Sequence, residues 1–180
     1  MNTTKWIVDP SHSEIHFKVK HLMISNVTGH FNQFSVSAET VGEDFSKVTN
    51  IVFAADVHSI DTGNSQRDNH LKSADFFNGE THSKIHFHSD KYEKKGNKEL
   101  LHGNLTIHGM TKPITVDVKF GGIAGDLYGQ IKVGFTIGGK FSRKEFGITY
   151  NATTEAGGVV IGDEVVFGGE IQLIKRVEKN

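Results

Sequence analysis

The sequence predicts an all-β fold, with residues 1–180 forming one domain of eight antiparallel strands and a short helical lid segment. Apolar and polar residues alternate with a period of two through most of the chain, as expected for strands that bury one face. There are 20 glycines but only 2 prolines, so the turns must depend mainly on Gly, Asn and Asp. No helical pattern of about 10–15 residues recurs between the alternating segments, which argues against βαβ units.

Eight alternating segments are predicted as strands. In the first of them, Ile15, Phe17 and Val19 share one face and charged residues share the other. The second segment places Phe31 and Phe34 out of phase, and a β-bulge near Gln33 would restore their common face. The predicted strands are residues 14–19, 28–39, 49–57, 85–88, 101–108, 114–120, 127–137 and 165–173.

Short polar and glycine-rich segments are predicted to connect these strands as hairpins. Residues 94–98 form a solvated tip, and residues 108–113 form a tight turn in which Gly109 supplies a positive φ. Residues 121–126 are predicted as a further turn, with Leu127 facing inward at the start of the next strand. Antiparallel pairing of successive strands follows from connections this short.

Residues 60–77 break the strand pattern and predict a lid or plug with a short helix. Thr62, Asn64 or Ser65 would cap the helix, because their side chains can accept from its free backbone N–H groups. Arg67 within this segment has two interpretations. It binds an anion through its guanidinium group, or it anchors the lid together with neighbouring carboxylates.

Composition excludes several classes of function. With 20 basic and 21 acidic residues, the chain has no excess charge that would favour nucleic acid. It has no cysteine, which excludes disulfides, thiolate nucleophiles and Cys-ligated zinc. The first residues lack the apolar run of a secretory signal, and no window approaches the ~20 apolar residues of a membrane-spanning helix. We therefore expect a cytoplasmic protein that does not span the membrane.

The 11 histidines require a separate interpretation. His86 and His88 share the polar face of one strand, so we interpret them as exposed residues and expect no metal site. His21 follows the parity of the apolar face and is expected to point inward. There it would be a hydrogen-bonded core histidine, a contact for the polar end of a ligand, or a metal or catalytic residue. No motif of a catalytic triad or nucleotide-binding loop occurs in the required context, and no catalytic residue is assigned.

Eight strands with one apolar face form either a closed barrel or a two-layer sandwich, and the interior is either filled or open. Several motifs in order favour a closed barrel with an open interior, through a resemblance to a known family. The sequence resembles the YceI family of lipocalin-like, polyisoprenoid-binding proteins, through the segments Trp6–Ser13, Phe17–Val27, Arg67–Ser73, Gly103–Pro113 and Ser142–Gly147. The resemblance runs from Trp6 to about Leu173, nearly the whole chain.

The resemblance implies an eight-stranded antiparallel lipocalin-like barrel whose hydrophobic tunnel holds a long-chain amphiphile. The expected ligand is a polyisoprenoid, an isoprenoid quinone or a fatty amide, with no required cofactor and no established catalytic activity. It also implies a homodimer. Many relatives carry a secretory signal and are periplasmic, whereas no such signal is expected here.

Strand parity assigns the residues that would line this tunnel. We expect Phe76 and Phe77 to close one end from the lid, and His21 and Arg67 to contact the polar end of the ligand. The expected wall residues are Phe17, Val19, Met23, Phe31, Phe53, Phe87, Leu105, Ile107, Val118, Phe120, Phe135, Phe167 and Ile171.

The function predicted from these observations is the binding, sequestration or transport of a long-chain amphiphile. Two alternatives stay open on the sequence. One is an enzyme acting on a hydrophobic or isoprenoid substrate, with His21 as its acid or base. The other is a structural or interaction domain whose core is filled by side chains.

Overall fold

The computed structural model describes residues 2–152 and 160–176 of the protein. Within these residues the chain forms eleven β segments, one α-helix and three short 3₁₀ helices. The β segments are β1 (Thr3–Val8), β2 (Glu14–His21), β3 (Ser25–Phe31), β4 (Phe34–Val41), β5 (Asp44–Asp56), β6 (Ile60–Asp61), β7 (Lys84–Lys95), β8 (Lys98–Ile107), β9 (Met110–Gly125), β10 (Ile131–Ser142) and β11 (Ile161–Arg176). The helix α1 is Ser65–Lys72, and the 3₁₀ helices are Pro10–His12, Val57–Ser59 and Arg143–Phe146.

All eleven β segments belong to one antiparallel sheet that closes on itself. The order is β1-β4-β5-β7-β8-β9-β10-β11, and pairing of β1 with β11 completes the ring. Beyond this ring, β2 pairs with β11, β3 with β2, and β6 with β3. These three segments therefore continue the long strands that begin with β1, β4 and β5, respectively. The predicted eight-stranded antiparallel barrel is therefore confirmed, with three of its long strands interrupted.

The interruptions have local causes in the sequence. Between β1 and β2, Pro10 begins a 3₁₀ helix whose N-cap Asp9 accepts a hydrogen bond from the backbone N–H of Ser11 (3.1 Å). Between β3 and β4, Asn32 and Gln33 leave the regular ladder at the position where the sequence predicts a bulge. Their backbone groups still pair across the sheet, which keeps Phe31 and Phe34 in contact with the core.

Three details of the sequence prediction are wrong. β1 is absent from it, because Trp6, Ile7 and Val8 are consecutive apolar residues without alternation. β9 continues to Gly125, so the turn covers residues 126–130 and not 121–126. Leu127 is consequently fully exposed at the tip of this turn and does not face inward.

The lid prediction is confirmed in its position and in its cap. Among the three candidate caps, Asn64 accepts a hydrogen bond from the backbone N–H of Arg67 (2.9 Å) and begins α1. The helix has only eight residues, and the chain then turns so that Phe76 is buried and Phe77 packs against the barrel core. The lid therefore contributes aromatic side chains to one end of the barrel. In the part of the chain that the structure describes, no helix is long and apolar enough to cross a membrane.

Candidate ligand-binding site

A cavity of about 510 Å³ occupies the interior of the barrel. Its wall is built by the inward-facing residues of every long strand, together with Leu71, Phe76 and Phe77 from the lid segment. On β11 the lining residues extend from Ile161 to Leu173. At about 3.3 Å per residue and a tilt of about 40° to the barrel axis, this stretch corresponds to a tunnel about 30 Å long.

Aromatic rings form much of the wall. Phe17 lies against Phe31 (ring centroids 5.6 Å apart), and Phe167 lies against Phe141 (6.1 Å). Phe17, Phe53 and Phe167 face inward on their strands but are only half-buried, while they line the cavity. Their remaining accessible surface is therefore apolar surface available inside the tunnel, which a hydrocarbon ligand would cover.

Glycines on neighbouring strands leave room for some of the phenyl rings of the wall. A Cβ at Gly103 would meet the ring of Phe87 and the backbone carbonyl of His88, and a Cβ at Gly139 would meet the ring of Phe167. The absence of a side chain at these strand positions leaves space for the phenyl rings. The tunnel can thus be lined by Phe without being filled.

One end of the cavity is closed by a cluster around Trp6. Its ring lies 4.8 Å from that of Phe45, which in turn lies 5.3 Å from Phe135. The Trp6 indole N–H donates to Thr40 Oγ1 (2.8 Å), and that hydroxyl donates to the carbonyl of Gly42 (2.7 Å). The indole N–H and the Thr40 hydroxyl are therefore both hydrogen-bonded within this end of the barrel, which we call the base.

The other end is the mouth, where the lining residues that are exposed to solvent lie together. They are Lys20, His21, His70, Tyr150 and Ala152. The ring of His70 lies 5.0 Å from Tyr150 and 5.0 Å from Phe76, and its Nε2 lies 2.8 Å from Asp75 Oδ2. The mouth therefore combines aromatic surface with groups that can hydrogen-bond a polar head.

Arg67 lines the mouth but its guanidinium group is already engaged. Its Nε donates to Thr62 Oγ1 and its Nη2 to the Thr62 carbonyl, each at 2.7 Å. Asp68 accepts from the backbone N–H of Thr62 (2.9 Å) and from its hydroxyl (2.6 Å). These contacts agree with the anchoring interpretation of the segment.

Arg143 is a buried charged residue beside the mouth. Its guanidinium donates to the carbonyls of Gly162 (2.8 Å), Ile148 (2.9 Å), Tyr150 (2.8 Å) and Ile161 (3.3 Å). Burial lowers the pKa of Arg143 below its ordinary value, and a nearby carboxylate opposes that shift. The residue ties residues 148–150 to the start of β11 and so supports one side of the mouth.

Tyr92 is a polar residue on the wall of the tunnel. Burial raises its pKa, and a hydrogen bond to Glu99 raises it further because the carboxylate favours the protonated phenol. The hydroxyl is therefore neutral at physiological pH. It adds no charge to the tunnel.

The structure brings most of the residues expected from parity to the cavity. Two expectations are wrong: β2 ends at His21, so Met23 lies in the following turn and is 60% exposed, and Phe120 lies outside the lining. Phe120 immediately precedes the register shift between β9 and β10, and its ring lies tilted against that of Phe135 (centroids 5.7 Å apart). The expected residues that line the cavity are Phe17, Val19, His21, Phe31, Phe53, Arg67, Phe76, Phe77, Phe87, Leu105, Ile107, Val118, Phe135, Phe167 and Ile171.

His21 differs from its expected environment. It lines the cavity, but it is exposed at the mouth and is not a buried core histidine. His86 and His88 are exposed on the outer face of β7. Within residues 2–152 and 160–176, no group of three or more His, Asp or Glu residues is arranged to hold a metal ion.

Sequence reasoning missed several lining residues. Phe45 lies at the start of β5, outside the predicted segment of residues 49–57, and Tyr92 lies beyond the predicted segment of residues 85–88. Extending the alternation of Ile51 and Phe53 would place Phe45 inward, whereas Tyr92 is out of phase with Ile85 and Phe87 because the register shifts between Ser89 and Lys91. Arg143 and Tyr150 lie outside any strand, and only the fold places them at the mouth.

The chain is similar in sequence to known proteins over most of its length. The YceI-like domain model matches residues 6–173. A UPF0312 protein of Staphylococcus epidermidis is 41% identical over 167 residues, which cover 91% of this chain and 94% of that protein.

Two solved structures share the fold. The Campylobacter jejuni YceI protein superposes with a TM-score of 0.75 at 32% identity, covering 88% of this chain and 90% of that one. A polyisoprenoid binding domain from Saccharophagus degradans superposes with a TM-score of 0.69 at 16% identity, covering 95% and 98%.

Proposed function

The chain belongs to the YceI-like family, and on that premise we propose that it binds the hydrocarbon tail of a long-chain isoprenoid inside its barrel. The observation that carries the proposal is the cavity of about 510 Å³, which runs from a polar mouth to an apolar base. Its volume lies in the range of small-molecule binding sites. The same cavity argues against the alternative of a core filled by side chains.

The length of the tunnel favours an isoprenoid over an ordinary fatty chain. The hydrocarbon core of a bilayer is about 30 Å thick, so one phospholipid acyl chain spans about half of that distance. A tunnel about 30 Å long would be only half filled by such a chain. The related fold from Saccharophagus degradans is described as a polyisoprenoid binding domain, which names the same class of ligand.

The driving force would be burial of apolar surface. Each CH₂ group transferred from water contributes about 0.8 kcal/mol, so ten groups give about 8 kcal/mol, a micromolar scale before ordering costs. A ligand that leaves a membrane gains little from this term, because its tail is already in hydrocarbon. Shape fit in the tunnel and contacts of the head group must then provide the affinity.

We place the polar head of the ligand at the mouth. Lys20, His21 and His70 are exposed there and line the cavity. Arg67 is less available, since two of its nitrogen atoms donate to Thr62. A hydroxyl, a quinone carbonyl, an amide or a phosphate could each be accommodated by such donors.

The proposal describes a carrier and not an enzyme. The enzyme alternative assigns His21 as acid or base, and it predicts turnover that His21→Ala abolishes while ligand binding persists. If the protein is a carrier, both the wild type and His21→Ala should release the ligand chemically unchanged. Mass analysis of the ligand recovered after prolonged incubation separates these outcomes.

The experiment that tests the proposal uses the single tryptophan of the chain as a reporter. Trp6 packs on Phe45 at the base, so its emission should change only when a tail reaches that end. Delipidated protein is titrated with geraniol, geranylgeraniol, an eight-unit polyprenol and oleamide. We expect the affinity to rise with length and only the longest chain to alter Trp6 emission strongly.

Two results would contradict the proposal at different levels. Equal affinity for oleamide and the eight-unit polyprenol would remove the preference for isoprenoids and leave binding of a hydrophobic ligand. Failure of every probe to bind, measured independently by equilibrium dialysis, would reject the binding function.

A further inference from the structure

The turn between β2 and β3 exposes three consecutive apolar residues. Leu22, Met23 and Ile24 are 38%, 60% and 80% exposed, respectively. We call these three residues the apolar tip. A run of exposed apolar side chains at a hairpin end is unfavourable in water, so its presence indicates a contact that covers it.

The backbone holds the apolar tip in a defined conformation. Leu22 and Met23 both have positive φ values, 52° and 58°, which non-glycine residues adopt at a cost. Leu22 N–H donates to the carbonyl of Val160 (2.8 Å), and Ile24 N–H donates to that of His21 (3.1 Å). Asn-Gly would form a two-residue turn of this kind with less strain and without exposed apolar surface.

The apolar tip lies beside the mouth of the tunnel. It directly follows His21, and it is hydrogen-bonded to Val160; both of these residues line the cavity. A surface that the apolar tip touches is therefore brought next to the opening through which a ligand would pass.

The hairpin that carries the apolar tip is basic, and on the neighbouring β11 the carboxylate of Glu164 lies 3.8 Å from Lys140 Nζ. Residues 15–38 contain Lys18, Lys20 and three histidines but no Asp or Glu, and both lysines are exposed. On the neighbouring start of β11, the carboxylate of Asp163 accepts from the Ser142 hydroxyl (2.6 Å) and the Lys144 backbone N–H (3.2 Å). The hairpin thus combines an apolar end with positive charges, the pattern that favours an anionic membrane surface.

We propose that the apolar tip inserts into the surface of a bilayer containing anionic lipid, with Lys18 and Lys20 contacting the head groups. The inference rests on the proposed function, because it places the mouth of the tunnel against the membrane from which an isoprenoid tail is taken. The tail then moves from hydrocarbon to tunnel without crossing water.

The size and shape of the apolar tip favour a bilayer over a protein partner. A stable protein interface buries about 800 Å² on each side, which usually involves 20 or more residues. Three side chains at the end of a hairpin provide far less area. Insertion of a few apolar side chains beside basic residues is sufficient for reversible contact with a fluid membrane.

The test compares two double variants that remove exposed apolar side chains from opposite ends of the barrel. Met23→Ser with Ile24→Ser changes the apolar tip. Leu127→Ser with Tyr128→Ser changes the turn between β9 and β10, which is also strongly exposed but does not line the cavity. Binding is measured by flotation with vesicles of phosphatidylcholine and phosphatidylglycerol that contain no isoprenoid.

We expect the vesicle-bound fraction of the apolar-tip variant to fall about tenfold, and that of the control variant to remain at the wild-type value. The rate at which an eight-unit polyprenol moves from such vesicles to the protein should fall similarly. Equilibrium binding of the same polyprenol delivered from cyclodextrin should not change, since neither substituted residue lines the cavity.

Three outcomes would overturn the docking proposal. The first is equal flotation of wild type and the apolar-tip variant, and the second is an equal loss in the control variant. The third is a molar mass, measured by light scattering, that differs between the wild type and the apolar-tip variant while their flotation is the same. This result would identify the apolar tip as a contact between two copies of the chain. Failure of the proposed function gives a different result. The wild type would then not bind the polyprenol delivered from cyclodextrin, whereas flotation with isoprenoid-free vesicles would still report membrane binding.

Discussion

Asp9 illustrates how one residue holds the barrel closed. Its side chain is buried at the joint between β1 and β2, and its backbone N–H donates to the carbonyl of Gln172 on β11 (2.8 Å). One carboxylate oxygen lies 2.8 Å from Lys132 Nζ and 2.9 Å from His12 Nδ1. The hydrogen bond from Lys132 is the main reason that the pKa of Asp9 lies below its ordinary value, and burial opposes it.

Removal of Lys132 should therefore destabilise the protein in a pH-dependent manner. Because the pKa of Asp9 is lower in the folded protein than its ordinary value of 3.8, the ionised carboxylate stabilises the fold at pH values above 3.8. This stabilisation is lost as the pH falls through the pKa that Asp9 has in the folded protein. We expect Lys132→Met to lower the urea midpoint at pH 7. The difference from wild type should shrink as the pH is lowered towards 3, and a difference independent of pH would contradict the role of this ion pair.

At the scale of the element, glycines determine how closely β11 approaches its neighbours. A Cβ at Gly169 would meet the backbone carbonyl of Glu14 on β2, whereas a Cβ at Gly134 on β10 would have no heavy atom within 4 Å. Neither residue has a φ in the left-handed region. The two positions therefore separate the effect of close backbone approach from the general effect of glycine in a strand.

We expect Gly169→Ala to destabilise the protein by about 1–3 kcal/mol, because the backbone of β2 must move to accept the methyl group. Gly134→Ala should leave stability unchanged or raise it by about 0.5 kcal/mol. Urea unfolding monitored by Trp6 fluorescence measures both. Equal stabilities of the two variants would show that the approach of β2 to β11 is not tightly specified.

The sequence predicts the regular parts of these elements and misses their ends. Alternation places Phe17 and Phe167 on the tunnel wall because side chains on a strand point to opposite faces in turn. It fails at Met23, where the strand ends in a turn with positive φ that contains no glycine to signal it. It also fails at Arg143 and Tyr150, because their place at the mouth depends on contacts between distant segments.

At the scale of the whole molecule, the barrel combines a closed hydrogen-bonded wall with an incompletely filled interior. Closure removes exposed strand edges, and the Trp6 cluster supplies a packed core at one end. The remaining length can therefore stay open without loss of the fold. Stability and ligand binding should consequently be separable by mutation.

Val118 is suited to test that separation. It faces the cavity from β9, and Val118→Phe would place a larger side chain in the tunnel. We expect the affinity for an eight-unit polyprenol to fall about tenfold or more while stability changes by less than about 1.5 kcal/mol. Val166→Phe provides the matched control, since Val166 is 44% exposed and lies outside the cavity lining. Loss of binding in both variants, or in neither, would argue against the tunnel as the binding site.

Binding of a long-chain ligand in the barrel is tested most directly by native mass spectrometry of the gently purified protein, followed by organic extraction and analysis of the bound material. We expect a stoichiometric added mass that extracts as an isoprenoid, an isoprenoid quinone or another long-chain amphiphile. A protein that shows only its own mass, and still does so after incubation with a panel of long-chain lipids, would rule out ligand binding in the barrel.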